Sequence, residues 1–266
     1  MTAKVAFRAV VAFSAIPLAW AQPPDAVALV RQSIQNYERD WREAMSWEYR
    51  QTDVTHSDGT REIDVSEITP LGGTPYERLV LKDGQPLSKE QQKKEEHKFN
   101  KAARQREDES PAERLERIHK YEEQRAFILD IPDAYNYQIT GDEVVNGRPA
   151  WVVKLAPKPG FVPTAPHGSM LGHIQGTLWI DKEDMQWAKA EADVIDTIEI
   201  GWIMARIGPG AHFSVEQTRV ADGLWMPVRI TIAGTARVLM VHNKVLNEEL
   251  TFSDYRKCTQ PGGRPI

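Results

Sequence analysis

The sequence predicts an α+β fold, mostly antiparallel β. Three observations predict it. Runs of alternating apolar and polar residues recur from Trp47 to Arg256, glycine-containing turns separate them, and one amphipathic helical stripe precedes them all. The clearest hairpin starts at Gly176. Leu178 and Ile180 share one side of its first arm; Thr177, Trp179 and Asp181 share the other. After the polar turn Lys182-Glu183-Asp184, Ala188, Ala190, Ala192 and Val194 line one side, and Lys189, Glu191 and Asp193 line the opposite one. A sheet with one wet and one apolar face is expected, and what covers the apolar face becomes the question of function.

Taken in order, residues 1–21 read as a secretory leader. Lys4 and Arg8 supply the positive end, Val10 to Leu18 a short apolar core, and Ala19-Trp20-Ala21 the cleavage site. That core is too short to span a bilayer, and no later stretch is apolar enough to do so. The expected address is periplasmic or secreted, with peripheral membrane contact left open. Val27, Val30, Ile34, Tyr37 and Trp41 then recur at steps of three and four, a helix over about 25–44.

Strands are expected over 47–51, 61–69 and 76–81, broken at Ser57-Asp58-Gly59, Pro70-Leu71-Gly72-Gly73 and Lys82-Asp83-Gly84. The stretch 88–130 is different in kind. It is dense in both charge signs, and Ser88/Gln91 and Ser110/Glu113 each fit a capping box. Two helices are expected there, 89–107 and 111–129, as a solvated insertion or as a movable lid over the sheet.

The strand pattern returns at Tyr135. Asn146-Gly147 turns one hairpin, because both positions accept positive φ. Pro157 to Gly172 reads as a loop, and the hairpin from Gly176 follows. Ile198 to Ile207 reads as one strand with Ile198, Ile200, Trp202 and Met204 on a side. Strands over 213–220, 224–232, 237–245 and 248–256 complete about eleven, arranged as a curved meander, sandwich or barrel. Residues 22–258 are expected to form a single domain, with 259–266 a flexible tail.

Composition narrows the function. The net charge is −5, and acids nearly cancel bases in the insertion, so no nucleic acid is expected as partner. Cys258 is the only cysteine and cannot form an intramolecular disulfide. No zinc-binding HExxH, no G-x-S-x-G elbow and no Gly-rich phosphate loop occurs. His167 and His173 flank a loop, but their spacing fits no metal template, and neither a metal nor another cofactor is expected. An enzyme is therefore not expected.

The aromatic and methionine content is the better clue. Trp179, Trp187, Trp202, Trp225, Met204, Met226 and Phe213 fall in adjacent expected strands. Ordinary core packing accounts for such a group, and so does an apolar cavity that adapts to an acyl chain.

Three phrases carry a family resemblance: Gly176-Thr-Leu-Trp-Ile-Asp with Lys189-Ala-Glu, Asp222-Gly-Leu-Trp-Met-Pro-Val-Arg, and Phe252-Ser-Asp-Tyr-Arg. With the leader, the helix, the insertion and the run of strands, the chain resembles the lipoprotein-carrier (LolA/LolB-like) superfamily over most of residues 25–257. The resemblance implies an unclosed half-barrel with helices on its concave side and acyl chains held between helix and sheet. The long charged insertion departs from the carriers, and none of the family's functional residues aligns. The candidate lining residues are Leu178, Ile180, Trp202, Met204, Phe213, Val215 and Met226. The reading is an exported, non-catalytic carrier or sensor of lipid or lipoprotein acyl chains in the cell envelope. A protein-interaction module docking an envelope partner through 88–130 is the alternative, and a hydrolase of unknown type the third.

Overall fold

The computed structural model describes residues 24–57, 59–200, 205–238 and 242–258. The expected leader, the expected tail, and Trp202 and Met204 lie outside the described residues.

Helix α1 spans Ala26–Ala44. Asp25 caps it by accepting from the Val27 N–H at 2.9 Å. Its buried stripe is Leu29, Val30, Ser33, Ile34 and Asp40. Val27, expected in that stripe, is 41% exposed; Leu29 takes its place, and two polar residues share the buried side.

The strands are β1 (Trp47–Ser57), β2 (Thr60–Leu71), β3 (Thr74–Lys82), β4 (Gln85–Pro86), β5 (Tyr135–Val145), β6 (Arg148–Pro157), β7 (Ile174–Asp181), β8 (Trp187–Val194), β9 (Ile198–Ile200), β10 (Ala205–Ile207), β11 (His212–Ala221), β12 (Leu224–Val238) and β13 (His242–Lys257). They form one antiparallel sheet in the order β4-β3-β2-β1-β13-β12-β11-β8-β7-β6-β5. The two ends of that path do not pair, so the sheet is open, an unclosed half-barrel and neither a closed barrel nor a sandwich. Its central seam joins β1 to β13, with Trp47 opposite Lys257. Register shifts at Glu48/Arg50, Val65/Ser66, Ile139/Gly141, Trp179/Ile180 and Glu216/Gln217 bend the strands.

The strand expected over 198–207 is two: β9 and β10 pair antiparallel with each other, Ile200 opposite Ala205, and β10 continues onto β12. The expected loop over 157–172 contains a 3-10 turn, Gly168–His173. The 3-10 turn and its approach rest on Asp130, whose carboxylate accepts from the Thr164 hydroxyl and from the N–H groups of Thr164 and Ala165.

The insertion forms α2 (Lys89–Asp108) and α3 (Pro111–Glu123), and both capping boxes are present. The second helix stops at Glu123 rather than 129. A 3-10 turn, Ala126–Asp130, and a short α4 (Ile131–Ala134) follow. Pro132 lacks the N–H that a continuing helix needs and would clash with the Ile128 carbonyl. The break also lets Ile128 turn into the core, while Leu129 stays 54% exposed.

The main core lies between α1 and strands β5–β8. Leu29, Val30 and Ile34 meet Val153, Leu155, Leu178, Ile180 and Trp187, with Ile128, Ile131 and Leu171 closing the side. The opposite face is less wet than the alternation implies. Trp179 packs with Ala150 and Val152 there, and Asp181 is fully buried. Asp181 accepts from Arg148 Nε at 2.7 Å and Nη2 at 2.9 Å, and from the N–H groups of Glu183 and Asp184 in the hairpin turn.

Candidate functional site

The second half of α1 leans on the sheet without filling the space beneath it. A cavity of about 230 Å³ remains. Helix α1 contributes Tyr37, Asp40, Trp41 and Ala44, with Met45 at its C-terminal cap. Tyr121 of α3 and Pro75 of β3 close one flank. The floor comes from Tyr49 of β1, Gln217 of β11, Trp225 to Pro227 of β12, and Phe252 and Tyr255 of β13. The wall is mainly apolar and aromatic, the composition expected of a small-molecule site.

Local sequence explains the arrangement. Tyr37 and Trp41 stand four apart, one turn along the same face of α1. Tyr37 stacks on Trp187 with centroids 4.9 Å apart, and Trp187 Nε1 donates to Ser33 Oγ at 2.8 Å. Trp41 stacks on Tyr121 at 5.4 Å. Just after α3, Arg125 lays its guanidinium 4.9 Å from the Tyr37 ring centroid and 4.1 Å from that of Trp41. It pairs with Glu38 at 2.7 Å, each side chain only 14% exposed. The insertion is thus latched to α1 at its root by one cation, two rings and one carboxylate.

Its far end is latched too. Arg106 Nη1 donates to the Leu71 carbonyl at 2.6 Å, and Arg117 donates to the Gly72 carbonyl at 2.9 Å and to Thr74 Oγ1 at 2.7 Å. Arg117 is itself held bidentately by Glu109 at 2.6 and 2.7 Å. These arginines grip the β2–β3 turn, where Gly72 and Gly73 have φ of +57° and +95°. Neither α2 nor α3 contributes a buried residue. The cover over this flank is held by a few polar and aromatic contacts instead of by a core.

Asp40 fastens α1 to the sheet. Its carboxylate accepts from Arg39 Nε, from Gln186 Nε2 and from the Trp225 backbone N–H at 2.9 Å. Burial pushes its pKa above the usual carboxylate range, against the opposing pull of the Trp225 N–H, Arg39 and Gln186. Burial likewise raises Tyr121 and Tyr49. Among the described residues, no group of three or more His, Cys, Asp or Glu side chains could hold a metal ion. No described helix is long and apolar enough to cross a membrane. Burial raises the Cys258 thiol, which weakens it as a nucleophile.

Of the residues expected to line a cavity, Met226 borders this one. Leu178 and Ile180, 4% and 0% exposed, lie in the main core beneath α1 instead. Phe213 packs against Val194, Ile198 and Ala211. Val215 sits between Ala190 and Ile230 on neighbouring strands. Tyr37 and Trp41 entered the sequence reading only as a helical stripe. Asp40 and Gln217 were missed, although each is a polar residue at a position where the apolar period calls for burial: Asp40 three after Tyr37, Gln217 two after Val215.

No family model matches the chain, and no curated protein matches it. Solved structures do. A LolA superfamily protein from Nitrosomonas europaea is 13% identical with a TM-score of 0.35, covering 90% of this chain and 96% of that one. A DUF1329 family protein from Desulfovibrio piger is 10% identical with a TM-score of 0.35 and the same coverage, 90% and 96%. A domain described as an outer membrane lipoprotein-sorting protein, from Vibrio parahaemolyticus, is 10% identical with a TM-score of 0.34, covering 86% and 94%. One of the three is named for the superfamily that the sequence phrases resemble.

Proposed function

We propose that this chain is an exported, non-catalytic binder of acyl chains, a carrier or sensor of lipid or lipoprotein in the cell envelope. The observation that supports it is the cavity between α1, α3 and the floor of β1 and β11–β13, with its mainly apolar wall and removable flank. At about 230 Å³ it lies below the roughly 300–1,000 Å³ of typical small-molecule sites. A full acyl chain needs more room, and α3 is the wall that can yield, since no residue of it is buried. Displacing α3 breaks the Trp41–Tyr121 stack and the Arg117 contacts, a modest cost that burial of an alkyl chain offsets at about 25 cal/mol per Å². Among the described residues, Asp40 is the one carboxylate on the wall, and three donors already engage it.

The test is uptake of the neutral fluorescent probe N-phenylnaphthylamine, together with mass spectrometry of lipid carried through gentle purification. Wild type should bind the probe, and Ala44→Phe, which fills the space, should weaken binding at least about tenfold. If wild type takes up neither probe nor lipid, or Ala44→Phe binds equally well, the acyl-binding reading fails.

The interaction-module reading has its own observation: Leu115 on α3 is 67% exposed amid charged residues. Leu115→Glu separates the two, because it changes the exposed arm without touching the cavity wall. Loss of an envelope partner with probe uptake intact favours the module.

A further inference from the structure

Besides the polar tips of its tyrosine and tryptophan rings, the wall holds Gln217 and Asp40. Gln217 on β11 is 3% exposed and borders the cavity, and its Nε2 has no hydrogen-bond acceptor among the described residues. A buried donor left without a partner is costly, at roughly 1–3 kcal/mol. An apolar residue of the same size would avoid that cost, so the amide fits a site where an acceptor arrives from outside the chain.

Asp40 is the second. It is also 3% exposed and on the wall. Its partners Arg39, Gln186 and the Trp225 N–H all donate, so both carboxyl oxygens are already taken up as acceptors. Among the described residues, no lysine or arginine borders the cavity. The cations beside it are engaged: Arg39 pairs with Asp40 itself, and Arg125 is stacked on Tyr37 and Trp41 and paired with Glu38.

These features treat two kinds of acyl ligand differently. A free fatty acid would bring an anionic head to a wall that holds a carboxylate and no unengaged cation. Its desolvation would go uncompensated. An ester or amide carbonyl is neutral and needs a single N–H. Resting on the acyl-binding reading above, we infer that the cavity selects acyl esters or amides over free fatty acids, with Gln217 Nε2 donating to the ligand's carbonyl oxygen. Gln217 is then a specificity-determining residue, and Asp40 supplies discrimination against anionic heads.

Displacement of N-phenylnaphthylamine from the full chain by methyl laurate and by laurate, both below their aggregation limits at neutral pH, tests this. Wild type should prefer the ester by about tenfold or more. Gln217→Leu should lower the ester-to-acid preference about five- to tenfold, the equivalent of one lost hydrogen bond, with each affinity read against the variant's own uptake of N-phenylnaphthylamine. Equal affinity of wild type for ester and acid overturns the inference while leaving acyl binding in place. So does an ester preference that Gln217→Leu leaves intact. Failure of wild type to bind any of the three ligands removes both readings. Should Gln217→Leu not fold, the ester-to-acid ratio of wild type still decides, with Gln217→Met as the second variant.

Discussion

Arg125 sets its guanidinium 4.1 Å from the ring centroid of Trp41 while its charge is met by Glu38 at 2.7 Å. That contact ties the start of the 3-10 turn after α3 to the helix that roofs the cavity. Replacing Arg125 by Ala removes a cation–π contact and strands a mostly buried carboxylate. A loss of about 3 kcal/mol in urea unfolding is expected, because breaking one side of such a pair costs far more than the pair contributes. Amide exchange in α3 should rise as well. A variant with unchanged stability and exchange would show that this contact is not the latch.

Asp181 is buried, and burial alone raises a carboxyl. Here Arg148 and the N–H groups of Asp184 and Glu183 outweigh it and hold the pKa below the usual range. The folded chain therefore binds fewer protons than the unfolded one in that window. The stabilisation is present above the unfolded value of about 3.9 and is lost as pH falls through the lower folded value. Arg148→Met should cost about 3 kcal/mol at neutral pH and move the acid unfolding midpoint upward. Unfolding followed by circular dichroism between neutral pH and pH ~2 checks both.

Gly168 faces Asp130 so closely that an added Cβ would lie 2.3 Å from its Oδ2 and 2.8 Å from Pro163 Cβ. Gly168→Ala should destabilise by about 2 kcal/mol, through overpacking and displacement of the Asp130 contacts. Gly172, in the same 3-10 turn, has nothing within 4 Å of that position, so Gly172→Ala should be near neutral. Thermal unfolding of the pair distinguishes local crowding from a general intolerance of the turn.

Arg117 joins Glu109, Gly72 and Thr74. Arg117→Ala should loosen the insertion from the β2–β3 turn at a global cost of only about 1–2 kcal/mol. Limited proteolysis should then cut within 89–123 sooner, and probe uptake should rise, because the yielding wall yields more readily. Faster cleavage with reduced uptake would separate mobility of the insertion from access to the cavity.

The architecture was legible because its signals are local. Asn146-Gly147, Lys82-Asp83-Gly84 and Asp222-Gly223 mark turns by their φ requirements, and Ser88/Gln91 and Ser110/Glu113 mark helix starts by their caps. The cavity was less legible because its lining depends on register and on distant partners. The shift between Trp179 and Ile180 places Trp187 opposite Ile180, on the helix side with Ala190, where strict alternation would put them apart. Leu178 and Ile180 face α1, but the part of α1 above them packs tightly, and the gap opens only further along, over Met226 and Phe252. Tyr121 and Pro75 join the wall through the insertion and its docked turn, a meeting that no spacing within either segment encodes.

The seam between β1 and β13 has a consequence for how the molecule is made. Trp47 must wait for Lys257, about two hundred residues later, before the middle of the sheet can zip. Until β13 emerges, β1 presents a bare row of amides to any neighbour. A ribosome-bound chain ending before His242 should therefore be sticky and protease-sensitive, and β13 acts as the keystone that silences that edge.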